Sequence, residues 1–178
     1  MTEISFLKGE LILAVLWFSV RIIVWIVQRR VDFRREALLL LMYINLAVIL
    51  RFTFYPMQRV NGRIQPLVFD PSAVYPFRIN AIPVRNILRF GSERDLALNL
   101  IGNVAMFIPT GVILPVLYRR VNRYWKDVFA GAVLSLCIEL LQLPFASRAT
   151  DIDDLILNTL GAALGGLIFF SIRALRKK

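Results

Sequence analysis

The chain has 178 residues, of which 58% are hydrophobic, and it carries a net charge of +10 with a mean hydropathy of +0.65. Soluble domains are nearer about 45–50% apolar, so this composition excludes an ordinary soluble domain and points to one membrane-embedded domain. The lone cysteine, Cys137, excludes an intrachain disulfide, and the absence of His removes the commonest general base and transition-metal ligand.

Five segments are long and apolar enough, or nearly so, to span the hydrocarbon core as helices. The first covers residues 11–27 and contains Arg21. It is long, is followed by RRVDFRR and has no small-x-small cleavage site, so it reads as a retained helix and not a signal peptide. The second covers residues 37–55, with Arg51 near its end. A loop of residues 57–95 follows. In it, QRVNGRIQ places Asn-Gly between Val60 and Ile64, a β-hairpin signal. Beyond it, PFRINAIPVRNILRF is apolar but Pro-broken and too short to span, which predicts an interfacial or re-entrant segment. The third span covers residues 96–118 with Asn99 and Asn103, and the fourth covers residues 128–144 with Glu139 and Gln142. The fifth covers residues 155–172 and is preceded by Asp151, Asp153 and Asp154. The fold class is therefore an all-α integral membrane bundle of about five helices, with a short hairpin in its long loop.

Lys and Arg cluster at the ends of the apolar runs, which is the pattern of membrane topology and not of nucleic-acid binding. Arg29, Arg30, Arg34 and Arg35 follow the first span, Arg119, Arg120, Arg123 and Lys126 the third, and Arg173, Arg176, Lys177 and Lys178 the fifth. Five spans put these three basic stretches on one side, which makes that side cytoplasmic and the N-terminus external. Glu139, Asn103, Asn158 and Arg51 then fall at one level in the outer leaflet, with Glu139 about 8 Å below its helix end. The inner halves of these helices read as uncharged. Asp151, Asp154, Asn158, Gly161 and Gly165 share one helical stripe, and Gly131, Ser135, Glu139 and Gln142 share another. Small residues on such stripes let membrane helices approach closely, while intramembrane polar residues face the bundle interior and mark function.

Each residue also has a plainer reading. Thr150-x-x-Asp153 is close to a capping box, so the Asp residues could serve to open a helix. Asn99 and Asn103 could join helices by hydrogen bonds, each worth about 0.6 kcal/mol. Arg51 and Arg148 could snorkel to the interface. Glu139 is the hardest to explain without function.

At these residues the chain resembles the VanZ-like family of small bacterial membrane proteins. The resemblance rests on NLIGNVAMFIPTGVILP, SLCIELLQ and R-x-x-D-x-D-D-x-x-x-N-x-x-G-x-x-x-G in that order, with LRFTFYP and NAIPV as weaker matches. It divides the chain into an N-terminal helix with its basic link, residues 1–36, and a VanZ-like transmembrane domain, residues 37–178. It implies a bacterial plasma-membrane protein, and the name-giving member is associated with resistance to the lipoglycopeptide teicoplanin.

Three functions are open on these grounds. The first is a module whose cavity, open to the outer leaflet, binds or translocates the head group of an amphiphile, such as a cell-wall lipid intermediate or a glycolipid antibiotic. Arg51, Asn99, Asn103, Glu139, Gln142, Arg148, Asp151, Asp154 and Asn158 would line it. The second is a membrane-embedded hydrolase or transferase on a lipid-linked substrate, with Glu139 and Asp154 as acid and base. The third is a structural partner in a larger complex. No cofactor is expected; Mg²⁺ or Ca²⁺ held by Glu139, Asp151 and Asp154 is the alternative.

Overall fold

A computed structural model describes residues 2–55, 59–75, 78–84 and 92–176. Five helices dominate it: α1 Phe6–Gln28, α2 Phe33–Phe54, α3 Glu93–Leu117, α4 Tyr124–Gln142 and α5 Ile152–Leu175. Helices α1 and α5 contain their expected apolar runs whole, and α2, α3 and α4 contain all but the last one or two residues of theirs. Helices α1, α2, α3 and α5 are long and apolar enough to cross a membrane. Helix α4 has Lys126, Asp127 and Glu139 in its 19 residues and is more polar, but its length of about 28 Å also matches a bilayer core.

Helix limits follow local chemistry. Ser5 caps α1 by accepting the Lys8 N–H, and α1 ends at Arg29 in a left-handed conformation, φ 51°. Asp32, an acid in the basic link, accepts the Arg35 N–H at 3.2 Å and starts α2 four residues before its apolar run. Arg21 of α1 forms an ion pair with Glu36 of α2, its Nε donating to Oε2 at 3.0 Å. Its charge is therefore balanced within the α1–α2 corner.

Among the described residues, six short strands decorate one end of the bundle. Strands β2 (Arg59–Val60) and β3 (Arg63–Ile64) form the expected hairpin, with Asn61 and Gly62 both at positive φ, 51° and 73°. That is the backbone a two-residue primed turn demands. Strand β1 (Thr2–Ile4) pairs antiparallel with β4 (Leu67–Phe69), and β5 (Ile79–Asn80) pairs parallel with β6 (Thr150–Asp151). The Asp70 N–H donates to the Pro144 carbonyl at 2.8 Å and the Ala146 N–H to Val68 at 2.9 Å. The N-terminus, the α2–α3 loop and the α4–α5 loop thus meet at one end of the bundle. The basic links and the end of α5 occupy the other. Of the Pro-broken segment, residues 78–84 form part of this loop cap; residues 76–77 and 85–90 lie outside the described residues.

Helices α3 and α5 make the tightest pair. A Cβ at Gly111 would overlap the Ala162 carbonyl, one at Gly161 the Val104 carbonyl, and one at Gly165 the Ile108 carbonyl. Backbone-to-backbone packing of this kind is what the Gly161-x-x-x-Gly165 spacing predicts. Helix α4 lies against α5 through Gly131, opposite Ala162. Helix α1 buries none of its residues and stands at the periphery. Pro109 and Pro115 sit within α3 without ending it.

Candidate functional site

Helix α2 ends at the loop end of the bundle, and three successive carbonyls there are taken by candidate residues. Gln142 Nε2 donates to the Thr53 carbonyl at 2.9 Å, Arg148 Nε to Phe54 at 2.8 Å, and Arg51 Nη1 to Tyr55 at 3.1 Å. The last carbonyls of a helix lack intrahelical donors, so these side chains close it. Arg51 also lies over the rings of Phe6 and Phe52, 5.6 and 5.5 Å from their centroids. Tyr55 is buried, donates its hydroxyl to the Ser5 carbonyl at 3.2 Å and meets Phe6 edge-on, docking the start of α1 here.

Glu139 is only 1% exposed. Its Oε2 accepts the Asp151 N–H at 2.9 Å, while Oε1 has no partner among the described residues. Thr150 donates its hydroxyl to the Glu139 carbonyl at 2.8 Å. The capping-box reading is corrected here. Thr150 is spent on Glu139, and α5 is capped by Asp151, which accepts the Asp153 N–H at 3.0 Å. Asp151 Oδ1 also accepts from Asn80 Nδ2 at 3.0 Å. Asp153, buried, accepts the Val84 N–H at 2.7 Å and so anchors the 78–84 segment. Val84 sits at φ 68°, an uncommon conformation for a β-branched residue, held here by that bond.

One turn further, Asp154 accepts from Asn103 Nδ2 of α3 at 2.6 Å. Asn158, fully buried, donates to Ser135 Oγ of α4 at 3.0 Å, and its Oδ1 is without a partner among the described residues. Asn99 is half-buried one turn above Asn103. All nine candidate residues therefore stand in the loop-end half of α2–α5 or in the α4–α5 loop.

Arg148 belongs to that loop and is half-buried. Arg78 fastens the loop by donating from Nη1 and Nη2 to the Ala146 and Phe145 carbonyls. Burial pulls the Arg148 pKa below the ordinary guanidinium value; Asp154 and Glu139 oppose the fall and Arg51 adds to it. The guanidinium remains charged, as arginine does in proteins. One of its nitrogens, Nη2, has no partner among the described residues. Among those residues no three Asp, Glu, His or Cys side chains form a metal-ligand group. The three carboxyls named for Mg²⁺ or Ca²⁺ are engaged separately, as described.

Several polar groups escaped the sequence reading. Asn80 and the Thr53 carbonyl join the cluster through contacts distant in sequence. Asn45 of α2 donates to the Met106 carbonyl at 2.8 Å and accepts from Thr110 at 2.7 Å, a buried α2–α3 tie. The expectation of uncharged inner halves also needs correction. Helix α4 starts at Tyr124, four residues before its apolar run, so Asp127 is inside it and fully buried. Extending the Gly131–Ser135–Glu139 stripe by one step of four would have found it.

Residues 37–173 match the family described as VanZ/LLP1. The chain belongs to the VanZ/LLP1 family. "Protein VanZ" of Enterococcus faecium is 46% identical to it over 99 residues, covering 56% of this chain and 58% of that protein. The chain thus aligns with about three fifths of the length of this curated relative. No solved structure matches. Helix α1 lies outside the part matched to VanZ/LLP1, whereas every candidate residue from Arg51 to Asn158 lies inside it. Together with its apolar helices, VanZ/LLP1 membership makes this a multi-pass membrane protein.

Proposed function

We propose that the polar cluster binds, or passes through the membrane, the head group of an amphiphile, and that the loop end faces the cell exterior. The observation that carries this reading is a set of buried polar atoms without partners among the described residues: Glu139 Oε1, Asn158 Oδ1, Asp153 Oδ2 and Arg148 Nη2. Each such atom costs about 1–3 kcal/mol, and native proteins keep few of them without reason. The acceptors suit hydroxyl or amide donors of a sugar or peptide. The Arg148 fork suits a phosphate or carboxylate. A lipid-linked cell-wall intermediate and a lipoglycopeptide antibiotic both carry such groups, and the likeness to Protein VanZ favours a role in antibiotic resistance.

The experiment is a binding and turnover assay of the purified protein in nanodiscs, with a lipid-linked cell-wall intermediate and with teicoplanin. Saturable stoichiometric binding that Glu139→Gln and Arg148→Gln abolish supports the binding reading. Multiple turnover of the lipid would instead make Glu139 and Asp154 the acid–base pair of an enzyme. Neither binding nor turnover would leave a structural role in a larger assembly.

A further inference from the structure

Helix α4 carries one buried stripe, Asp127, Gly131, Ser135, Glu139 and Gln142. Glu139 belongs to the polar cluster at the loop end. Asp127 lies twelve residues earlier, about 18 Å away along the axis and toward the basic end. It is fully buried, yet neither carboxyl oxygen has a hydrogen-bond partner among the described residues. An acid in the first turn of a helix ordinarily serves the exposed N–H groups there. The Asp127 side chain takes none of them and is turned toward α5, where a Cβ at Gly166 would come 2.5 Å from its Oδ2. Gly166 therefore leaves the space the carboxyl occupies.

The nearby charges among the described residues are engaged or exposed elsewhere. Lys126 lies over the Trp125 ring, Arg173 of α5 donates to the Asn122 side chain, and Arg119, Arg120 and Arg123 are exposed. Tyr124 packs edge-on against Phe170 of α5. The inner half of α3 carries no titratable side chain up to Leu117. An unpaired carboxylate held between membrane helices is expensive, and such residues in other membrane proteins carry ions or protons.

We propose that Asp127 is a proton-binding site at the basic end of the bundle, separate from the polar cluster. The reaction is the reversible gain of one proton by one carboxylate oxygen. With the proton on, α4 and α5 close over a neutral acid, with Gly131 seated on Ala162. With it off, the buried charge draws water or parts the two helices. Both helices carry cluster residues, Glu139 on one and Asp154 and Asn158 on the other, so proton occupancy at Asp127 reaches the opposite end.

The test is thermal unfolding of the full chain in nanodiscs from weakly acid to alkaline pH, in N-methylglucamine chloride. The folded protein holds a proton at Asp127 that the unfolded chain releases above the ordinary carboxylate range, about pH 4. Stability from this group is present at low pH and is lost as pH rises through its folded-state value. The wild-type Tm therefore falls relative to that of Asp127→Asn as pH rises. Parallel curves overturn the proposal. If Asp127→Asn does not fold, Asp127→Ala serves, since it too is neutral and smaller. Failure of both to fold at every pH, while the wild type folds, means the charged form is the one required and also overturns it. Replacing N-methylglucamine by sodium should change nothing. A sodium-dependent rise in Tm confined to the wild type would assign a metal cation and refute proton binding.

Discussion

Glu139 and Arg148 carry opposite charges at the same end of the bundle, yet no direct hydrogen bond joins them. Arg148 spends Nε on the end of α2, and Glu139 spends Oε2 on the Asp151 N–H. If the two served mainly to neutralise each other, removing both would restore what removing one destroys. Their separate partners predict otherwise: Arg148→Gln and Glu139→Gln should each abolish ligand binding, and the double variant should be no better than either. Partial rescue in the double variant, read as inserted protein and bound ligand, would make Arg148 a counter-ion. Asp153 gives a milder case. Asp153→Asn keeps an oxygen for the Val84 N–H and should retain most function, whereas Asp153→Leu strands that N–H and should lose about 1–3 kcal/mol of stability in a detergent melt. The sequence exposed Glu139, Gln142 and Asn158 because a polar residue in an apolar helical run stands out against its period. It did not expose the groups that meet Gln142, Asp151 and Asp153, since Thr53 offers a backbone carbonyl, and Asn80 and Val84 approach from a Pro-broken segment with no periodic signal.

The α3–α5 pair tests how closely the bundle is built. At Gly111 any Cβ meets backbone, and backbone has no rotamer to give way. Gly111→Ala should force the helices apart and cost about 1–3 kcal/mol, lowering the Tm. Gly102, on the same helix, is exposed with nothing within 4 Å of its Cβ position. Gly102→Ala should be neutral or stabilise by up to about 1 kcal/mol, because only helix propensity changes. Equal Tm values for the two variants would deny that close helix approach limits stability here. Hydrophobic runs made the helices legible, but their ends were set by caps that hydropathy does not see. Asp32 caps α2 and pulls its start back to Phe33; α4 starts at Tyr124 without a side-chain cap, which is how Asp127 entered the membrane. The Asn-Gly hairpin was legible because both of its residues needed positive φ. The β1–β4 and β5–β6 pairs were not, because each is two or three residues long and closes across a wide span of chain.

The molecule as a whole has two unlike ends. One gathers the N-terminus, the hairpin and the α4–α5 loop into a hydrogen-bonded cap over the polar cluster. The other carries the basic links after α1 and α3 and the end of α5, with Asp127 buried just inside. Short basic links stay in the cytoplasm, so the cap should face outward and the polar cluster should lie in the outer leaflet. Single cysteines in a Cys137→Ser background decide this, with an impermeant thiol reagent applied to intact cells. A cysteine at Ser72, exposed on the loop cap, should react. Cysteines at Arg34 and Arg120 should be protected until the membrane is permeabilised. The opposite pattern would place the cluster against the cytoplasm, where a cell-surface lipid intermediate or an external antibiotic could not reach it. The proposed ligand would then be wrong even with every contact in the site intact, and Asp127 would exchange its proton with the exterior.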